Sequence, residues 1–183
     1  MTSKINEFLD PYFDEYQKLA FNKDLYASLD AFQEIALKVK TQNAKLIFAG
    51  NGASAAISAH GAVDFTKQAK VRGITFNEAD LITCYANDYG HENWMKEALK
   101  THGNKNDILF LISSSGMSKN IINCAKQAKK MKIKIIGMSG FKKNNNLSKI
   151  ADISFWVNSK SYNQIEMTHH VWLLLICDYI SKS

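Results

Sequence analysis

The chain has 183 residues, of which 46% are hydrophobic and 22% charged, the make-up of one folded domain with a sizeable core and not of a disordered segment. No apolar run approaches the length of a membrane span, and the N-terminus lacks an apolar signal core, so a cytosolic protein is expected. The net charge of +6 comes mostly from lysines between Lys119 and Lys149. With no aromatic-interleaved basic motif beside them, they read as a solvated helix face and loop that attracts small anions, and nucleic acid is not expected as a partner.

Residues 2–40 carry apolar side chains at helical spacing: Phe8, Tyr12, Phe13, Tyr16 and Leu19, then Leu25, Leu29, Phe32, Ile35, Ala36 and Val39. Asn22-Lys23-Asp24 splits them into two helices, with Pro11 read as lying near the start of the first. Their apolar stripes are broad enough to suggest a subunit interface as well as a cap on the domain. Leu46 to Ala49 is a short apolar run, read as a buried strand, and Gly50-Asn51-Gly52 turns it into an Ala-rich helix that begins near Ser54. Lys67 to Glu78 reads as a loop, Ala79 to Ala86 fits strand or helix, and Asn87-Asp88-Tyr89-Gly90 reads as a turn. A helix is expected over Glu92–His102, ended by Gly103.

Asp107 to Ile112 is the second clear buried strand and runs into Ser113-Ser-Ser-Gly-Met-Ser118. A helix over Lys119–Lys132, a strand over Ile133–Met138, a mobile loop over Lys142–Lys149, a strand within Ile150–Val157 and a helix over Asn163–Lys182 follow. Strands alternating with helices predict a parallel sheet covered on both faces. With no linker and no repeat, residues 1–183 read as one α/β domain: 1–40 the leading helices, 41–183 the core. Cys84, Cys124 and Cys177 sit in apolar contexts and read as reduced core thiols.

Two strand-to-helix junctions, Gly50–Ser54 and Ser113–Ser118, should lie at the carboxyl edge of such a sheet, where ligands bind. Hydroxyls and backbone N–H groups at a helix start suit a phosphate monoester. A lone Ser-Gly cluster would be turn chemistry; two at successive strand ends favour ligand binding. His60 and Asp64 share a helix face four residues apart, as do Glu166 and His170 on the last helix. His91 and His102 match no ligand spacing.

Gly-Asn-Gly-Ala-Ser at 50–54 and Ser-Ser-Ser-Gly-Met-Ser at 113–118 resemble the two signature loops of the sugar isomerase (SIS) domain. Within it the chain resembles the phosphoheptose isomerases, over nearly its whole length. The resemblance implies a three-layer, flavodoxin-like parallel-sheet sandwich with two leading helices, assembled as a homotetramer, and an aldose–ketose isomerase acting on sedoheptulose 7-phosphate or a related sugar phosphate. It implies substrate contacts from Asn51, Gly52, Ser54 and Asp88, and a phosphate loop of Ser113, Ser114, Ser115 and Ser118. His60 matches a zinc ligand. Elsewhere the chain departs from the family. Asp64 stands for a Glu, Glu166 for a Gln, Asn163 for an Asp and Leu174 for a second catalytic His, while His169 matches the first His of the last helix.

His170, one turn before Leu174, is a candidate replacement. His60, Asp64, Glu166 and His170 then make a possible zinc set of two imidazoles and two carboxylates, and Asp64, Glu166 and His170 are the candidate catalytic groups. The plain alternative leaves one of His169 and His170 on the surface and the other hydrogen-bonded in the core. Two functions stay open at this point: the isomerase, and a non-catalytic SIS protein that binds a sugar phosphate or regulates replication initiation. The intact serine loop and His60 favour a working pocket; Asp64, Glu166 and Leu174 favour the second.

Overall fold

The computed structural model describes residues 3–182, so the expected helix start at residue 2 and the two chain ends lie outside the described residues. Helices α1 (Lys4–Ala20) and α2 (Tyr26–Thr41) precede β1 (Leu46–Gly50), α3 (Ala53–Lys67), β2 (Gly73–Thr75), α4 (Ala79–Tyr89) and α5 (Trp94–His102). Then come β3 (Ile108–Ile112), α6 (Lys119–Lys130), β4 (Lys134–Ser139), α7 (Asn146–Ile150), β5 (Ile153–Trp156) and α8 (Tyr162–Ser181). The five strands are parallel in the order β2-β1-β3-β4-β5, the flavodoxin-like order whose crevice opens between β1 and β3. This is the expected three-layer α/β sandwich with two leading helices.

The apolar runs became strands because both sheet faces are covered, and each strand splits its side chains between two cores. Leu46, Phe48, Phe110, Ile112, Ile136 and Met138 face α2, α3 and α8. Ile47, Ala49, Leu109, Leu111 and Ile135 face α5 and α6. An aromatic nucleus fills the first core. Phe48 stacks on Phe110 at 5.1 Å and Phe32 meets Phe110 edge-on at 5.5 Å, contacts that add to the burial of the rings. At the foot of β1 and β3, the buried Asp107 carboxylate accepts from the Lys45 and Asn104 backbone N–H groups and from Lys45 Nζ at 2.6 Å. That pins the two strands in register, Leu46 beside Ile108 and Gly50 beside Ile112. The loops that follow therefore leave the sheet at one height.

Several expectations need correction. The Lys67–Glu78 loop contains β2, a three-residue edge strand too short to show periodicity. Residues 79–86 are helical, and the turn expected at Asn87–Tyr89 is the last part of the same helix, which Gly90 ends at φ +80°. The expected mobile loop at 142–149 carries the short helix α7, capped by the buried Asn145 side chain, which accepts from the Ser148 N–H at 2.9 Å. Pro11 lies inside α1, on an exposed position well past its first turn, where it removes one internal hydrogen bond. Cys84 is exposed, while Cys124 and Cys177 are buried thiols as expected; all three are free. Among the described residues no helix is long and apolar enough to cross a membrane.

Candidate active site

The first loop turns sharply because Gly50 lies under the next helix: a β-carbon there would come within 2.5 Å of the Ser54 carbonyl. Gly52 precedes α3 at φ +56° and contributes no side-chain cap. Ser118 stands at the same position before α6, and its hydroxyl does not cap the helix either. Two helices thus start at the crevice with N–H groups unclaimed by side-chain caps, and their dipoles favour an anion there. The exception is the Ile121 N–H, taken by Asn120 Oδ1 at 3.0 Å.

Asn51, Ser54, Ser113, Ser114, Ser115, Ser118, Tyr162 and Glu166 line a cavity of about 140 Å³ at this point. All of these except Tyr162 were legible as site residues. Among the described residues, the hydroxyls of Ser54, Ser113 and Ser118 make no hydrogen bond, which leaves them for a ligand. Ser115 Oγ accepts from the Met117 N–H at 3.2 Å, a local turn bond that fixes its direction. No lysine or arginine lines this cavity, while Lys119 lines the adjoining one that shares Asn51 and Ser118. The one charged side chain in the lining of the serine cavity is Glu166, whose Oε1 accepts from Ser114 Oγ at 3.2 Å. A larger groove of about 610 Å³ lies between α2 and the end of α8, remote from both loops.

Asparagines missed by sequence reasoning brace the site. Asn77 accepts from the Gly50 N–H at 3.3 Å and donates to the Gly50 carbonyl at 2.9 Å. Gly116 adopts φ +62° with its α-carbon against the Asn145 side chain, and its carbonyl accepts from the Leu147 N–H at 3.0 Å. Asn145 in turn donates to Ser139 Oγ and the Lys142 carbonyl, both at 2.9 Å. Asn51 and Asn120 pair their amides across the crevice.

Helix α8 presents its histidines to different surroundings. His169 is fully buried, and its Nε2 lies 3.2 Å from the Ser139 carbonyl. A carbonyl only accepts, so Nε2 carries the hydrogen. Burial pushes its pKa down to about 4, and the ring is neutral. It ties α8 to β4 and does not reach the pocket. His170, one residue on, packs edge-on against the His60 ring at 5.4 Å. The alternative of one surface and one core histidine is half right, because His170 is half-buried between helices.

The four candidate zinc ligands do not converge. His60 Nε2 engages Asp64 Oδ2 at 3.1 Å, and Glu166 turns to Ser114 in the cavity. Among the described residues no three His, Cys, Asp or Glu side chains gather into a metal-holding group. His60, Asp64, Glu166 and His170 as placed do not fit zinc. Asp88 lies exposed on α4 with its Oδ1 accepting from Asn87 Nδ2 at 3.0 Å, outside the cavity lining. Asn163 is exposed, and Leu174 lies two turns beyond Glu166 on α8.

Comparison with known proteins agrees with this geometry. The family model of the SIS domain matches residues 12–140. The phosphoheptose isomerase of Sulfurimonas denitrificans is 30% identical, with 100% of this chain and 96% of that protein covered. That of Helicobacter pylori strain P12 is 29% identical over 90% of this chain and 92% of its own length. Among solved structures, phosphoheptose isomerase GmhA from Neisseria gonorrhoeae superposes with a TM-score of 0.91 at 23% identity, covering 98% of this chain and 100% of its own. A phosphoheptose isomerase from Francisella tularensis superposes with a TM-score of 0.87 at 24% identity, with 100% of each chain covered; at such identities the likeness concerns the fold. None of these relatives supports the regulatory alternative. The chain belongs to the SIS domain family, in the group of the phosphoheptose isomerases.

Proposed function

We propose that the protein is an aldose–ketose isomerase that interconverts sedoheptulose 7-phosphate and the corresponding heptose phosphate. The observation that carries this reading is the meeting of Glu166 with the serine loop in one cavity. A phosphate anchored by Ser113–Ser118 and the α3 and α6 N-termini leaves its sugar chain to extend past the Glu166 carboxylate. Isomerisation needs one base that takes the proton from C1 of the ketose, giving an enediol, and returns it to C2 while a proton passes from O1 to O2. Glu166 carries the carbon-bound proton in this reading. His170, one turn along α8, and the His60–Asp64 pair beside it supply the oxygen-side proton transfer. Phosphate binding at the serine loop supplies the orientation that makes the transfer effectively unimolecular.

The same reading has the chain form a closed homo-oligomer, in keeping with the exposure of Ile5 (58%), Phe8 (61%) and Phe13 (55%) on α1, and has it work in the cytoplasm with its three thiols reduced. The experiment is turnover of sedoheptulose 7-phosphate by the wild type and Glu166→Gln. Loss of a general base costs on the order of 100- to 10,000-fold in kcat with the substrate still bound. A Glu166→Gln enzyme at wild-type kcat would remove Glu166 from the chemistry.

A further inference from the structure

Asn120 lies outside the lining of the serine cavity, on the adjoining cavity of about 430 Å³ that shares Asn51 and Ser118 with it. It is 2% exposed, in the first turn of α6, yet its amide forms a closed pair with Asn51 across the β1–β3 crevice. Asn51 Nδ2 donates to Asn120 Oδ1 at 3.0 Å, and Asn120 Nδ2 donates to Asn51 Oδ1 at 2.8 Å. The orientation of the pair is decided at Asn120, because its Oδ1 also accepts from the Ile121 N–H at 3.0 Å. An amide nitrogen cannot accept that bond, so the Asn120 amide has one way to face. Asn51 must then present Nδ2 to Asn120 Oδ1 and Oδ1 to Asn120 Nδ2. Flipping Asn51 would set oxygen against oxygen and nitrogen against nitrogen.

An asparagine amide offers two donors and two acceptor sites. With one of each spent on Asn120, Asn51 keeps one donor and one acceptor, and their direction into the cavity is set by the pair. The same pair is a bridge between the two loops. On its other side the first loop is held by Asn77 through both backbone groups of Gly50. Asn51 is therefore fixed from the β2 side through its chain and from the α6 side through its amide.

We propose that Asn120 is a positioning residue for substrate: it selects the amide orientation of Asn51 and holds the two phosphate loops at their working separation. This rests on the pocket reading given above. Two neutral hydrogen bonds are lost when the pair is broken, enough for on the order of a tenfold change in affinity.

The test is a double-mutant cycle on Asn51→Ala and Asn120→Ala, read by calorimetric titration with sedoheptulose 7-phosphate, by KM and kcat, and by thermal melting. Asn120→Ala is expected to raise Kd and KM on the order of tenfold, with the double variant no weaker than Asn51→Ala alone, because the two residues act through one pair. A merely structural Asn120 would lower the melting temperature and leave Kd and KM of the folded protein within about twofold; that result, or effects that multiply in the double variant, overturns the proposal. Should Asn120→Ala fail to fold, Asn120→Asp keeps the shape and the Ile121 bond but loses the donor. Its effect must then shrink when repeated on Asn51→Ala, and an undiminished effect counts against the pair. Ser115→Ala with Ser118→Ala separates the two ideas. If those serine changes weaken binding and Asn120→Ala does not, the positioning role falls alone. If neither moves Kd, or the wild type does not bind the sugar phosphate, the pocket reading falls and the proposal with it.

Discussion

Gly116 is the position at which the phosphate loop depends most on what lies behind it. It stands at φ +62°, and a β-carbon added there would overlap the Asn145 side-chain amide. Gly116→Ala therefore meets two costs. The left-handed conformation costs an L-residue roughly 1–2 kcal/mol. Asn145 must also move, and it makes three close bonds, to Ser139 Oγ, the Lys142 carbonyl and the Ser148 N–H, each at 2.9 Å. At about 1 kcal/mol for each buried bond lost, the total is roughly 4–5 kcal/mol, a large part of a typical folding stability of about 5–15 kcal/mol. For a chain of this size that is a fall in melting temperature of roughly 8–20 °C. Because the displaced helix α7 also holds the Gly116 carbonyl through the Leu147 N–H, the serine loop shifts and sugar-phosphate affinity falls with it. Calorimetric melting and titration with sedoheptulose 7-phosphate measure both. A variant that melts within about 2 °C of the wild type and binds equally well would refute the claim that Asn145 braces this loop.

Three further outcomes are expected. His169 titrates near 4 in the folded chain because burial disfavours its charge, against about 6.5 when unfolded, so the unfolded state takes up the proton first as pH falls. Its contribution is complete above about pH 6.5 and is lost between there and about pH 4, roughly 3 kcal/mol in all; denaturant melts of the wild type and His169→Gln across that range should differ in slope, and equal slopes would contradict the assignment. Because His60 Nε2 meets Asp64 Oδ2 at 3.1 Å and its ring packs against His170, His60→Ala should lower kcat on the order of 100-fold by loss of the oxygen-side proton transfer, and a folded variant at wild-type kcat would overturn that role. Light scattering at micromolar concentration should give an oligomer, the exposed Ile5, Phe8 and Phe13 of α1 being covered, whereas a monomer would refute the assembly.

The central strands were legible because a sheet buried on both faces turns its strands into unbroken apolar runs, as in Leu46–Ala49 and Ile108–Ile112. β2 was not, since three residues at a sheet edge, Gly73-Ile74-Thr75, carry no period. At Asn87–Tyr89 the turn composition was overridden by continuation of α4. The serine loop was legible from its place after a buried strand and Glu166 from its spacing on the last helix, and they do share a cavity. Spacing also placed His60 with Asp64 and Glu166 with His170, but it says nothing of which neighbour each side chain selects. Asp64 chose His60 and Glu166 chose Ser114. The bracing residues Asn77, Asn120 and Asn145 left no signal, because a buried amide that meets another amide or a backbone turn looks in sequence like any surface asparagine.

The account stands on Glu166 moving a carbon-bound proton within the serine pocket. Proton NMR of sedoheptulose 7-phosphate incubated with the wild-type protein in deuterium oxide measures that step directly. The account predicts conversion to the aldose phosphate with deuterium appearing at the exchanged carbon, and neither conversion nor exchange with Glu166→Gln. A folded wild-type protein that binds the sugar phosphate yet produces no aldose and no exchange would contradict it.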